Sequence, residues 1–158
     1  MIPQLNEEDI SRFDAVMREL LEKSEADVAL IVERAGYLIH QCGQLDGFEP
    51  TQVATLASNA FAASEFMANL IKEPDFTGMY QQGSTISTLT LNIDQSCLLF
   101  VAFRAAHSVG AIKYFAAQAV TKLAERLEIA HKRAPDKAFD IADLNPTNVQ
   151  ELFKREGS

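Results

Sequence analysis

The sequence predicts an α+β domain whose elements run α-β-β-α-β-β-β-α. Three observations lead there. Five short runs rich in β-branched and apolar residues fall into a group of two and a group of three. Three longer stretches repeat apolar residues at three- and four-residue spacing, the period of an amphipathic helix. The links between neighbouring strands are short enough for hairpins, so the five-stranded sheet is mainly antiparallel.

Taken in order, Asn6 is placed to cap the first helix, with Glu7, Glu8 and Asp9 at the positive end of its dipole. Ile10, Phe13, Met17, Leu20 and Leu21 form its apolar stripe, and the helix ends near Lys23 or Ser24. The run from Asp27 to Glu33 is the first strand. Arg34-Ala35-Gly36 is a turn, and Tyr37 to Cys42 is the second strand of a hairpin. Gly43 to Glu49 reads as a loop.

Pro50 opens the second helix, where its missing amide costs nothing, and the helix runs to about Lys72. It is apolar on more than one side. The stripe Val53, Leu56, Ala60, Ala63, Met67 and Leu70 is expected to face the sheet. A second stripe holds Thr55, Asn59, Ala62, Phe66 and Asn69, and a third holds Ala57, Phe61, Ser64 and Ala68. In a domain this small, a helix with apolar character on several faces is expected to meet another chain as well as its own sheet.

A strand follows within Asp75 to Gly83, weakened by Gly78. Ser84 to Asn92 alternates clearly, and Cys97 to Phe103 is apolar throughout, as in the centre of a sheet. Ser108 is a candidate cap for the third helix. Ile112, Phe115, Ala116, Ala119, Leu123, Leu127 and Ala130 share one face of that helix, and His131, Lys132 and Arg133 suit its negative end. The expected division is a domain over residues 1–133 and a charged tail over 134–158. The tail has a short helix near Pro146 or Thr147 that carries Val149, Leu152 and Phe153 on one face.

A length of 158 residues suits one such domain, and 47% hydrophobic with 23% charged residues is the balance of a globular chain. The net charge of −8 argues against nucleic acid and anionic lipid as partners. Nine acids against three bases crowd residues 1–33, an expected solvated helix face. Cys42 and Cys97 lie apart in apolar runs, as reduced buried thiols do, and no stretch reaches the length of a membrane span or reads as a signal peptide. A cytoplasmic protein with no direct membrane insertion is expected.

Catalytic chemistry is not legible. The phosphate-cradling glycine motifs are missing, and His40, His107 and His131 form neither His-x-x-x-His nor a Cys/His pair at zinc spacing. The expectation is therefore no cofactor, no metal and no active site of its own. Arg34 and Arg104 sit at loop tips, where an arginine can act in trans on a GTPase transition state, with position as the sole support.

Three stretches carry a likeness to a known family. They are Val28 to Glu33 followed by Arg34-Ala35-Gly36, the small-residue helix around Asn59-Ala60-Phe61-Ala62-Ala63, and above all Ser108-Val109-Gly110-Ala111-Ile112-Lys113. In their order they resemble the roadblock/dynein-light-chain domain, a profilin-like fold, over about residues 5–133. The Leu70-Ile71-Lys72-Glu73 helix end running into Phe76, and the tail closing on Val149-Gln150-Glu151-Leu152-Phe153, are most similar to the family's bacterial polarity regulators.

That resemblance implies a homodimer that binds a small Ras-like GTPase and stimulates its GTP hydrolysis by repositioning the GTPase's own residues. The alternative is a scaffold subunit that leaves turnover unchanged. It implies that Thr55, Asn59, Ala62, Phe66 and Asn69 meet the GTPase, together with Phe139, Ile141, Val149, Leu152 and Phe153 of the tail. It also implies that the Asp75 to Gly83 strand pairs with its twin to extend the sheet, with Phe61, Ala68, Phe76, Met79 and Tyr80 at the dimer interface. Two positions depart from the pattern: bulky Phe66, where a small residue is expected, and Asn145-Pro146-Thr147, where the tail is expected to be more acidic.

Overall fold

The computed structural model describes residues 2–133. Helix α1 (Glu7–Ser24) is followed by strands β1 (Val28–Glu33) and β2 (Leu38–Gly43), helix α2 (Pro50–Leu70), strands β3 (Gly78–Gln81), β4 (Ile86–Asn92) and β5 (Cys97–Arg104), and helix α3 (Val109–Lys132). The strands form one antiparallel sheet in the order β2-β1-β5-β4-β3. Element order and fold class are those the sequence predicts.

The two central strands divide their side chains between two layers, because alternate residues of a strand point to opposite faces. Ala29 and Ile31 of β1 and Cys97, Leu99, Val101 and Phe103 of β5 meet α1 and α3, which lie side by side on one face. Val28, Leu30 and Val32, with Leu98, Phe100 and Ala102, meet α2 on the other. Burial on both sides is why these strands read as unbroken apolar runs.

Helix α1 begins as expected. The Asn6 side chain accepts from the Asp9 amide, and the Asp9 carboxylate accepts from the Asn6 amide, each at 2.9 Å. It ends at Glu25, whose φ of 59° closes the last turn. The expected α3 face is buried, with Phe115 only partly covered. Ser108 precedes α3 without making a side-chain cap bond. β3 is shorter than the stretch expected. It starts at Gly78, where a Cβ would stand 2.5 Å from the Leu91 side chain.

The orientation of α2 corrects the sequence reading. The residues it buries are Ala54, Ala57, Ser58, Phe61 and Ala68. Of the stripe expected on the sheet, Leu56, Ala60, Ala63, Met67 and Leu70 are exposed, and Val53 is half-buried. The helix is turned by roughly a third of a revolution from that expectation, at about 100° per residue. The cause is Phe61. It is 1% exposed, its ring lies 4.9 Å from that of Phe76, and alanine and serine around it allow the helix to approach the sheet.

Candidate partner-binding face

The outer side of α2 is built by that rotation. Leu56, Phe66, Met67 and Leu70 are between 58% and 68% exposed, and Ile71 continues the patch past the helix end. Thr55, Asn59, Ala62 and Asn69 are exposed beside them. Glu65 is the single charged residue in the 21 residues of α2, and it is held inward against Arg34. An outer face with no charge and several large apolar groups is unlike an ordinary solvated helix. It has the composition of the core of a protein interface.

Arg34 fixes this helix from below. Its guanidinium lies over the Phe61 ring at 5.3 Å and donates to Glu65 at 3.4 Å, to the Asn92 side chain, and to the Asp94 carbonyl at 3.4 Å. One side chain thereby ties the β1–β2 hairpin to α2 and to the β4–β5 turn. This arginine is engaged within its own chain and is not held out towards a partner. Arg104, at the end of β5, leans towards Asp27 at 3.7 Å.

Two flanks of the helix can be told apart by their neighbours. Ser64 donates to the Met79 sulfur at 3.2 Å, so the Leu56–Ala60–Met67 side lies towards β3. Thr55 donates to the Gly36 carbonyl at 3.1 Å, so the Thr55–Ala62–Asn69 side lies towards the hairpin. β3 stands at the end of the sheet and pairs only with β4 among the described residues. Tyr80 is exposed there and stacks on Phe103, with ring centroids 6.4 Å apart.

The expected site residues are therefore distributed unevenly. Thr55, Asn59, Ala62, Phe66 and Asn69 share the outer side of α2, joined by Leu56, Ala60, Ala63, Met67 and Leu70, which the sequence reading had turned inwards. Phe76 and Met79 are half-buried and Tyr80 is exposed, all near the β3 edge. Phe61 and Ala68, expected at the dimer interface, are buried within this chain, Phe61 against the sheet. Phe139, Ile141, Val149, Leu152 and Phe153 lie outside the described residues.

On the opposite layer, one cluster has metal-ligating atoms. Asp14, His40 and Cys42 bring an oxygen, a nitrogen and a sulfur within 4.8 Å of one another. Hydrogen bonds from His40, and then from Arg18, hold the Asp14 carboxyl well below the usual carboxylate range. Burial, reinforced by the carboxylate, pushes the Cys42 thiol up to about 11, and burial pushes Cys97 up to about 12. Neither protein thiol is poised as a free nucleophile.

A regulatory or scaffold domain, made for contact with other proteins, is the class this arrangement defines. The Roadblock/LC7 domain model matches residues 12–103, and the chain belongs to that family. Among solved structures, Myxococcus xanthus MglB superposes with a TM-score of 0.76 at 26% identity, covering 84% of this chain and 99% of that one. An MglB with a tetrameric arrangement gives 0.74 at 25%, covering 81% and 96%. The gliding protein MglB of Thermus thermophilus gives 0.73 at 25%, covering 80% and 96%. Comparison by sequence with curated proteins gives no significant match. None of the helices in the described residues is long and apolar enough to cross a membrane.

Proposed function

We propose that this protein is a homodimeric, MglB-like regulator that binds a small Ras-like, MglA-like GTPase in the cytoplasm and stimulates its GTP hydrolysis, in the control of cell polarity or motility. The observation that carries the reading is the uncharged, apolar outer side of α2 in a Roadblock/LC7 chain whose structural neighbours are MglB proteins. The hairpin-side stripe, Thr55, Asn59, Ala62, Phe66 and Asn69, is the GTPase contact. The tail residues Phe139, Ile141, Val149, Leu152 and Phe153 are assigned to the same partner.

The β3-side stripe serves the twin. Pairing of β3 across a two-fold axis satisfies an edge that otherwise offers free backbone groups. It also brings Leu56, Ala60 and Met67 of the two α2 helices towards each other, with Phe76 and Met79 beneath them and Tyr80 on the opposite face of the paired edge. Arg34 is occupied by Glu65, Asn92 and Phe61, so stimulation would act by repositioning the GTPase's own groups rather than by an inserted arginine.

The test is single-turnover GTP hydrolysis by the Ras-like GTPase encoded in the same genome, with and without the full chain. A rise in rate is expected. A stable complex with an unchanged rate would replace this reading with the scaffold one, and failure to form a complex would overturn both.

A further inference from the structure

We propose that Asp14, His40 and Cys42 form a binding site for a transition-metal ion of the zinc class, joining α1 to β2. This is independent of the GTPase reading. It sits on the other side of the sheet from α2 and at the opposite sheet edge from β3.

The geometry is that of a half-assembled coordination shell. His40 Nε2 lies 2.8 Å from Asp14 Oδ1, and Cys42 Sγ lies 3.2 Å from the same oxygen. Around a tetrahedral zinc, with metal–ligand distances of about 2.0–2.3 Å, ligand atoms stand about 3.3–3.6 Å apart. Both pairs need to open by only a few tenths of an ångström to admit the ion. Ion binding would release the Cys42 thiol proton and displace the His40–Asp14 hydrogen bond.

The local fold presents these groups deliberately. His40 and Cys42 alternate on β2, so both point towards α1, where Asp14 faces them. The β1–β2 register slips between Ile31 and Val32, leaving Ile39 without a partner just before His40. Such a bulge re-aims the side chains next to it. After Cys42, Gly43 adopts a φ of +80°, and a Cβ there would lie 2.0 Å from the Asp27 carbonyl oxygen. That close approach fixes the end of the strand beside the site.

The chemistry of the donors selects the ion. One thiolate, one imidazole and one carboxylate suit borderline-soft Zn(II) and its substitute Co(II), and do not suit Mg(II) or Ca(II), which take oxygen ligands. A divalent ion balances the two anionic ligands, so the partly buried assembly carries no net charge. Arg18, which bonds Asp14 from a 74% exposed side chain, can swing into solvent as the ion enters. Water completes the fourth position at the surface.

The experiment uses the full chain, reduced by a phosphine, titrated with Co(II) alone and then with Zn(II). The expected result is a thiolate-to-cobalt charge-transfer band that saturates at one ion per chain and is bleached by Zn(II). It should disappear in Cys42→Ser, which retains Cys97, and its apparent affinity should fall at least tenfold in His40→Gln. Circular dichroism confirms that each variant is folded, and His40→Gln decides alone if Cys42→Ser is not. Absence of the band in the wild type, or an undiminished band in a folded variant, would overturn the site.

Discussion

The two layers that cover this sheet are made differently. α1 and α3 bury a large apolar cluster that includes Phe13, Met17, Leu20, Ile112, Leu123 and Leu127. They are laced together by charge: Lys122 with Glu19, and Arg126 and Arg133 with Asp9. α2 buries three alanines, a serine and Phe61, has one charged residue, and turns large apolar groups outwards. The difference gives stability to the first layer and, on the function proposed above, recognition to the second. A helix that covers its own sheet so thinly retains apolar surface for another molecule.

Breaking the first layer should have the largest effect. Asp9 is fully buried at the start of α1 and accepts from both Arg126 and Arg133 at 2.8–2.9 Å. Asp9→Asn should cost about 3–5 kcal/mol, because two guanidinium groups lose their buried counter-charge. Arg133 first, and then the Asn6 amide and Arg126, hold the Asp9 carboxyl far below its ordinary range despite its burial. Since its folded pKa is depressed, the stabilisation is complete above about pH 5. It is lost as pH falls through about 4, the unfolded value, towards the folded one. Urea unfolding between pH 6 and pH 2.5 checks this. The acid loss should be shallower in Asp9→Asn than in the wild type.

A matched pair of truncations sharpens the contrast. Leu123→Ala, in the α1–α3 core, should cost about 2–5 kcal/mol. Met67→Ala, on the outer side of α2, should change the stability of the fold by less than about 0.5 kcal/mol. Unfolding free energies measured at concentrations where each variant sediments as a monomer make the comparison, so that any change in self-association at Met67 does not enter. The smallest effect on the fold and the clearest on assembly should come from Met67→Glu. It should leave the circular dichroism spectrum unchanged while weakening self-association at least tenfold by sedimentation.

Much of this was readable in the sequence where a single force decides. Asn6 with Asp9 specifies a capping box through two local hydrogen bonds, and the α3 face follows from spacing alone. The unbroken apolar run Cys97–Phe103 marks a central strand because both its faces are buried. α2 is different. With alanine on every side and a single charge, periodicity could not choose which stripe meets the sheet. The choice was made by the fit of Phe61 beneath Arg34 and against Phe76, neither of which is local in the chain. The same limit hid the Asp14–His40–Cys42 cluster. His40 and Cys42 do not have zinc-motif spacing, and the third group arrives from a helix 26 residues earlier than His40.

The most direct test of the division between layers is one substitution made on each. Ala62→Arg on α2 and Ala117→Arg on α3 both place a long cation at an exposed alanine. Both should fold as the wild type does. Measured by stimulated GTP hydrolysis of the cognate Ras-like GTPase, Ala62→Arg should abolish stimulation and Ala117→Arg should retain it. Full stimulation by Ala62→Arg, or its loss in a folded Ala117→Arg, would contradict the assignment of recognition to α2.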